Sequence, residues 1–207
     1  MAIDYRITLD DAHEFSYRIE LDREYDAQAA SLAPKWTRLE YQQCSNCPLS
    51  KDNFSHCPAA VDLHRVIEDF HGLPAFKKVV VWVQTPEREY SKQVGLEEGL
   101  RSLLGVIMAT SACPMLGRLK PMAHNHLPFA SSHEFALRAV SLYLTQQYFN
   151  FREGRPADWE LKGLVAQFQQ LQLVNQAFWQ RIHDTCEGDS NLKAFLTFFS
   201  MSSSMTY

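Results

Sequence analysis

The sequence predicts an α+β fold, in which an N-terminal antiparallel β-meander and a central strand pack against a mainly helical C-terminal half. Three observations predict it: period-two alternation of apolar residues near the N-terminus, a β-branched run at residues 77–84, and helical periodicity in the second half. A chain of 207 residues can bury one sizeable core. We expect a single domain over residues 1–207, with residues 1–90 strand-rich and residues 91–207 helical.

Residues 3–9 and 14–21 are predicted to pair as a hairpin. Apolar residues occupy every second position in both segments, which is typical of a strand with one buried face. The polar residues 10–13 between them have turn composition. Residues 35–41 alternate in the same way, so we expect them to extend the hairpin into a meander. The apolar run at residues 77–84 is continuous, which favours a central strand buried on both faces.

Two helices are predicted on either side of this central strand. Pro58 suits the first turn of a helix, where its missing N–H has no partner to lose, and Gly72 suits a position beyond the end. A second helix is expected to begin near Ser91, because leucines follow at helical spacing. Residues 111–130 contain three prolines and are predicted to form an irregular connection. Loops of this length are uncommon in compact domains unless they are functional.

The rest of the chain is predicted to be helical. Ser131 and Glu134 have the spacing of a capping box, which predicts a helix that continues through an inward-facing Phe149. Residues 158–184 carry apolar side chains at heptad-like spacing and predict one long helix. A last helix is expected to begin at Ser190.

Charge and composition limit the possible partners. The net charge is −4, with 20 basic and 24 acidic residues spread along the chain, so we expect no nucleic-acid partner. No apolar run reaches the roughly 18 residues that cross a bilayer, and no secretory signal is recognisable, which predicts a cytoplasmic protein without a membrane partner. Five cysteines in such a chain favour metal binding or redox chemistry over a disulfide framework.

Clustered cysteines are the strongest chemical signal in the sequence. A Cys-x-x-Cys pair lets two thiolates approach one metal from a tight turn, and a third cysteine follows ten residues later. A fourth, in the proline-rich loop, is the best candidate to complete the site. The predicted metal ligands are Cys44, Cys47, Cys57 and Cys113. His56 and His64 are alternatives for the fourth position, and Cys186 is interpreted as structural.

The identity of the metal has two alternatives. Zinc in a closed site of four ligands would pin an irregular loop to the sheet. An iron–sulfur cluster is the second, because Cys47, Cys57 and Cys113 each precede proline and the run resembles ferredoxin-type ligation in outline. The nine residues between the second and third cysteines depart from that pattern, so the resemblance supports no family assignment. In a third interpretation all five thiols are unligated.

Three functions follow from these alternatives. The first is a binding or adaptor module with a structural or regulatory metal site, and the second is an iron–sulfur protein in electron transfer or redox sensing. The third is an enzyme whose site lies in the loop at residues 111–133, where Arg118, His124 and His126 would converge with Cys113. Because the chain lacks a glycine-rich phosphate loop and the common hydrolase motifs, we favour a non-enzymatic function.

The outer face of the long helix at residues 158–184 is rich in glutamine and almost uncharged. One interpretation of this face is contact with a protein partner or a homodimer through the helix, and the other, which we favour, is a core-facing stripe with a neutral outer face. The glutamines concerned are Gln167, Gln169, Gln170, Gln172 and Gln176.

Overall fold

A computed structural model describes residues 1–10 and 13–185, together with residues 193, 194, 197, 200 and 205. The elements are β1 (Ala2–Asp10), β2 (His13–Glu20), α1 (Ala27–Leu32), α2 (Pro58–Asp69), β3 (Lys78–Gln84), β4 (Glu89–Gly95), α3 (Leu96–Thr110), α4 (Lys120–His124), α5 (Ser132–Arg152) and α6 (Lys162–His183). Short 3-10 helices span Lys35–Thr37 and Leu116–Leu119. Cys186 and, apart from isolated positions, the helix predicted from Ser190 lie outside the described residues.

The four strands form one antiparallel sheet in the order β2-β1-β3-β4. β1 and β2 pair as the predicted hairpin, with Ile3 opposite Ile19 and Ile7 opposite Phe15. β3 runs antiparallel to β1 and places Val83 opposite Tyr5. With helices in the second half of the chain, this sheet confirms the predicted α+β class.

Only one face of the sheet is buried. Val79, Val81 and Val83 of β3 point into the core, whereas Val80 on the other face is 43% exposed. On that outer face the Arg6 guanidinium stacks over the Trp82 ring at 3.8 Å. The prediction of a strand at residues 77–84 is therefore confirmed, but two-sided burial is wrong, because the β-branched run reflects strand propensity on both faces.

The helix predicted to begin near Ser91 starts later, because Glu89–Gly95 is strand β4. The turn after β3 is closed by hydrogen bonds between Thr85 and Arg88, in which the Thr85 N–H donates to the Arg88 carbonyl at 2.8 Å. β4 then pairs with β3 along its whole length. The prediction missed this strand because only Val94 within it is buried, so it carries a weak apolar signal.

Residues 35–41 do not join the sheet, so the predicted third strand of the meander is wrong. The segment begins with the 3-10 helix Lys35–Thr37 after Pro34, and its only described strand-like contact is an isolated bridge from Arg38 to His56. Leu39 is buried, but it packs in the core beside the cysteine segment rather than on the sheet. Three alternating apolar residues are too few to distinguish a strand from such a turn.

α3 packs across the inner face of the sheet and also contacts α2. The approach is closest at Gly99, where a Cβ atom would lie 2.8 Å from Val81 Cγ2. α2 begins at Pro58, as predicted, and the chain turns at Gly72 with a φ of 72°. The core therefore lies between the sheet and these two helices.

The capping box at the start of α5 is confirmed. Ser131 Oγ accepts a hydrogen bond from the Glu134 N–H at 3.2 Å, and Glu134 Oε2 accepts one from the Ser131 N–H at 2.8 Å. Phe149 near the end of α5 is 52% exposed, so its predicted inward orientation is wrong. α6 packs against α5 through Phe168 and Phe135, whose ring centroids lie 5.9 Å apart.

The connection at residues 111–130 is less irregular than predicted, because it contains the 3-10 helix Leu116–Leu119 and α4. Residues 111–115 at its start and 125–130 at its end lack helical structure. Among the described residues, no helix combines the length and the apolar character that a membrane span requires.

Candidate functional site

The four predicted metal ligands lie in one neighbourhood but in different environments. Cys44 and Cys47 are half-buried in a turn closed by the Cys47 N–H donating to the Cys44 carbonyl at 3.0 Å. Cys57 is the buried residue before α2, and Cys113 is buried just after α3. All four are free thiols.

Burial raises the pKa of three of these thiols. Together with the charges of the nearby cysteines, it raises the pKa of Cys44 to about 12 and that of Cys113 to about 11. The pKa of Cys57 is raised by burial too, although the backbone N–H groups of Ala59 and Ala60 oppose the shift. Cys44, Cys57 and Cys113 are therefore neutral at pH 7.

The predicted metal-binding function is wrong for the part of the chain that the structure describes. There, no group of three or more histidine, cysteine or acidic side chains is placed so that it could hold a metal ion. The zinc site and the iron–sulfur alternative both required Cys44, Cys47, Cys57 and Cys113 to converge on one point. Sequence spacing predicted that these residues are neighbours, but it does not determine where their sulfur atoms point.

The histidines proposed as alternative ligands make other contacts. His64 Nδ1 lies 2.6 Å from the Val61 carbonyl in its own helix, and His56 Nδ1 lies 2.9 Å from Ser55 Oγ. Each ring therefore has one nitrogen already in a hydrogen bond.

The residues proposed for an enzyme site at residues 111–133 do not converge either. His124 Nε2 lies 3.8 Å from the exposed Asp22 carboxylate, and Arg118 is exposed. Cys113 lies with the other cysteines, whose charges affect its pKa. Only His126 lies in a pocket.

This pocket lies between α3, α4 and α5 and has a cavity volume of about 80 Å³. The segment between α4 and α5 forms one of its walls. Apolar side chains make up most of the lining, namely Val106, Ala109, Leu119, Met122, Ala123, Leu127, Phe129, Ala130 and Phe135. The polar lining residues are Arg101, Ser102, His126 and Arg138. An apolar concave site with a few polar groups is typical of small-molecule binding sites.

One polar end of the pocket is a hydrogen-bonded network that reaches the sheet. The Tyr5 hydroxyl lies 2.5 Å from His126 Nε2 and 2.8 Å from Ser102 Oγ. Burial, together with the charge of Arg138, lowers the pKa of His126 to about 3. The imidazole is therefore neutral at pH 7. We infer that Nε2 accepts the proton of Tyr5, whose own pKa is raised by burial.

Arg138 brings a positive charge to the lining. Its NH2 group donates to the Met122 carbonyl at 2.6 Å and to the Asn125 carbonyl at 2.7 Å. Its Nε atom is buried and has no hydrogen-bond partner among the described residues. Burial also lowers the pKa of Arg138, which indicates a poorly solvated guanidinium. A buried N–H of this kind costs about 1–3 kcal/mol if it stays unpaired.

Arg101 adds a second cation. It lies on α3 and forms no ion pair with any residue that the structure describes. The described lining of the pocket includes no carboxylate to balance the two arginines. The site therefore combines an apolar interior with a local excess of positive charge.

Together, the fold and this pocket define an α+β protein with a cationic, mainly apolar site among its helices. The chain belongs to a family described as a domain of unknown function, DUF6901, whose model matches residues 3–206. No curated protein and no solved structure matches the chain.

Sequence reasoning identified His126 but missed the other polar residues of the pocket. Arg101 and Ser102 lie among the leucines of α3, where polar residues read as a solvated face. Arg138 lies one turn after the capping box, where a charged residue is also interpreted as part of a solvated face. Tyr5 lies in the alternating apolar pattern of β1, which predicts a core residue, so nothing in the sequence suggested a second role for it. The sequence did contain one signal of the pocket. A helical wheel of α3 places Arg101, Gly105 and Ala109 on one face.

Proposed function

We propose that the protein binds a small carboxylate with a compact apolar body in the pocket between α3, α4 and α5. The observation that carries the proposal is the pair of cations, Arg101 and Arg138, in a mainly apolar lining that includes no carboxylate among its described residues. A ligand carboxylate supplies the negative charge that this lining lacks, and charge-assisted hydrogen bonds to arginine are among the stronger ones.

The volume of the cavity limits the ligand. An engineered apolar cavity of about 150 Å³ holds benzene, and this pocket has about 80 Å³. The three-carbon body of butyrate fits this volume with its carboxylate at the open side of the pocket, so we choose butyrate as the probe. A Kd on the order of 1 mM corresponds to about −4 kcal/mol, or roughly −0.7 kcal/mol for each non-hydrogen atom of butyrate. This value is below the ceiling of about −1.5 kcal/mol per atom for very small ligands.

The test is a titration with butyrate and with neutral butyramide, followed by protein NMR chemical shifts. Butyrate is expected to bind at least tenfold more tightly than butyramide, because only the carboxylate carries the charge that matches Arg101 and Arg138. Ala109→Leu places a larger side chain in the cavity and should abolish binding. Saturable binding that is the same for Ala109→Leu and wild type would place the ligand elsewhere.

Charge variants test the arginines separately. Arg138→Lys keeps the charge but removes the planar guanidinium and its bonds to the Met122 and Asn125 carbonyls, and butyrate affinity should fall about tenfold. Arg101→Met should weaken butyrate binding about threefold to tenfold. Arg118→Met is the matched control, since this exposed arginine does not line the pocket. Equal losses for Arg101→Met and Arg118→Met would show that only the net charge matters, and no binding of butyrate by wild type would refute the proposal.

Two further predictions stay open. The first is a protein partner on the glutamine-rich face of α6. Contacts within the chain weaken this prediction, because two of the glutamines already have partners. Gln167 Nε2 donates to the Arg118 carbonyl at 3.3 Å, and Gln170 accepts from Asn46. Gln169 and Gln176 remain exposed. A cytoplasmic location is the other, and the four free thiols suit a reducing compartment.

A further inference from the structure

We propose that residues 126–130 form a lid over this pocket, held closed by Ser102 and Tyr5. This inference rests on the proposed function for its role, since the lid would control entry and release of the carboxylate. Four of these five residues line the pocket, and they connect α4 to α5.

Both ends of the segment are fixed. At the first end the Asn125 carbonyl accepts a hydrogen bond from Arg138, and Asn125 Nδ2 donates to the Pro121 carbonyl at 3.1 Å. At the other end Ser131 and Glu134 form the capping box of α5. The segment can therefore move only as a short flap between two fixed points.

Between these ends the attachment is sparse. Within the described chain, no backbone–backbone hydrogen bond ties residues 126–130 to α3 or to the sheet. Two side-chain hydrogen bonds hold them there: the Tyr5 hydroxyl with His126 Nε2, and Ser102 Oγ, which accepts from the Phe129 N–H at 3.3 Å. Ser102 and Tyr5 also contact each other at 2.8 Å, so both contacts belong to one latch. Opening must also release apolar packing, because Pro128 is buried and Phe129 packs against the core.

Phe129 gives the closed lid a tendency to open. Its φ is 60°, in the left-handed region that is unfavourable for a bulky residue other than glycine. Such conformations persist only where surrounding contacts hold them, and they concentrate at ligand clamps and switches. When the latch breaks, Phe129 can return to a relaxed conformation and uncover the α3 wall.

The test measures access to that wall without any ligand. Ala109 is 5% exposed and lines the pocket on α3, so Ala109→Cys places a reporter thiol beneath the lid. Its alkylation by iodoacetamide is read at the peptide level by mass spectrometry, which separates it from the native cysteines. We expect about tenfold faster alkylation when Ser102→Ala is added. Tyr5→Phe, which releases His126, should also accelerate it.

Ser141→Ala on the exposed face of α5 is the matched control and should leave the alkylation rate unchanged. Equal alkylation rates in the control, Ser102→Ala and Tyr5→Phe would overturn the lid. Faster alkylation without butyrate binding by wild type would support the lid and refute the proposed ligand. Butyrate binding with unchanged alkylation would leave the ligand and refute the lid.

Discussion

Arg181 of α6 is a charged side chain almost completely removed from water, with 2% of its surface exposed. Its NH1 group donates to the carbonyls of Trp36 at 2.5 Å and Arg38 at 2.9 Å. The guanidinium also lies over the rings of Tyr41 and Phe178. It has no carboxylate partner among the described residues, so backbone carbonyls and aromatic rings replace the water around this charge.

Replacing Arg181 by methionine should lower the free energy of unfolding by about 2–4 kcal/mol, because two buried carbonyls lose their donor. Arg181→Lys should cost less, since an ammonium group reaches one of these carbonyls but lacks the planar fork. Urea unfolding followed by circular dichroism measures both. Arg152→Met, at an exposed arginine, is the control and should change stability by less than about 0.5 kcal/mol. If Arg181→Met were as stable as the control, the hydrogen bonds of Arg181 would contribute nothing to the free energy of unfolding.

The cysteines show how far single residues could be interpreted from the sequence. Their spacing predicted a tight turn at Cys44 and Cys47, which the structure shows. The sequence could not reveal that burial raises the pKa of Cys44, Cys57 and Cys113, or that among the described residues no group is placed to hold a metal ion. Arg181 was missed for a similar reason: it occupies a helix face where sequence reasoning expects solvent, and its partners are 139–145 residues away.

At the scale of elements, the contact between α3 and β3 depends on Gly99. The missing side chain lets the helix approach Val81, a β-branched residue with little freedom to move aside. Gly99 lowers intrinsic helix stability by about 1 kcal/mol relative to alanine. Close packing against the sheet is the physical reason for a glycine at this position.

Gly99→Ala should therefore destabilise the protein in spite of the better helix propensity of alanine. Overpacking a core costs about 1–3 kcal/mol, so after the gain of about 1 kcal/mol we expect a net loss of up to about 2 kcal/mol. Gly117→Ala is the matched control, because no atom lies within 4 Å of its added Cβ. Thermal and urea unfolding of both variants check the difference. An unchanged or more stable Gly99→Ala would mean that Val81 moves without cost.

Elements with strong local signals were predicted well, and those set by tertiary pairing were not. The β1–β2 hairpin, the start of α2 at Pro58 and the capping box at Ser131 each have a local cause in the sequence. β4 pairs with β3 along its length, and in the segment at residues 35–41 the carbonyls of Trp36 and Arg38 accept hydrogen bonds from Arg181 rather than from a neighbouring strand. Both features depend on contacts with distant parts of the chain, which a local sequence pattern does not contain.

At the scale of the whole molecule, the pocket could not have been predicted. Its walls come from α3, α4, α5 and residues 125–130, and Tyr5 of β1 reaches it from the sheet. The length of the predicted loop at residues 111–130, which contains His126, indicated a functional segment. It did not indicate that two arginines and an apolar wall would surround this histidine, because that depends on how three helices pack.

His126 and Asp62 make the stability of the protein depend on pH in opposite directions. The pKa of His126 is lowered to about 3 by burial and by Arg138, so between about pH 6.5 and 3 the unfolded chain binds the extra proton. Its contribution to stability is complete above pH 6.5 and is lost as pH falls. Burial raises the pKa of Asp62 to about 6, against the effects of Arg23 and His64. Its contribution is complete below about pH 4 and is lost as pH rises through 6.

Variants separate the two groups when urea unfolding is measured at pH 7 and pH 5. Between these values wild type should lose about 1–2 kcal/mol more than His126→Gln, since each pH unit below 6.5 is worth up to about 1.4 kcal/mol. Asp62→Asn should lose more stability than wild type over the same interval, because it lacks the group that gains a proton on folding. Curves that stay parallel for wild type and His126→Gln would mean that His126 is solvated, and the Tyr5–His126 contact of the lid would then be open in solution.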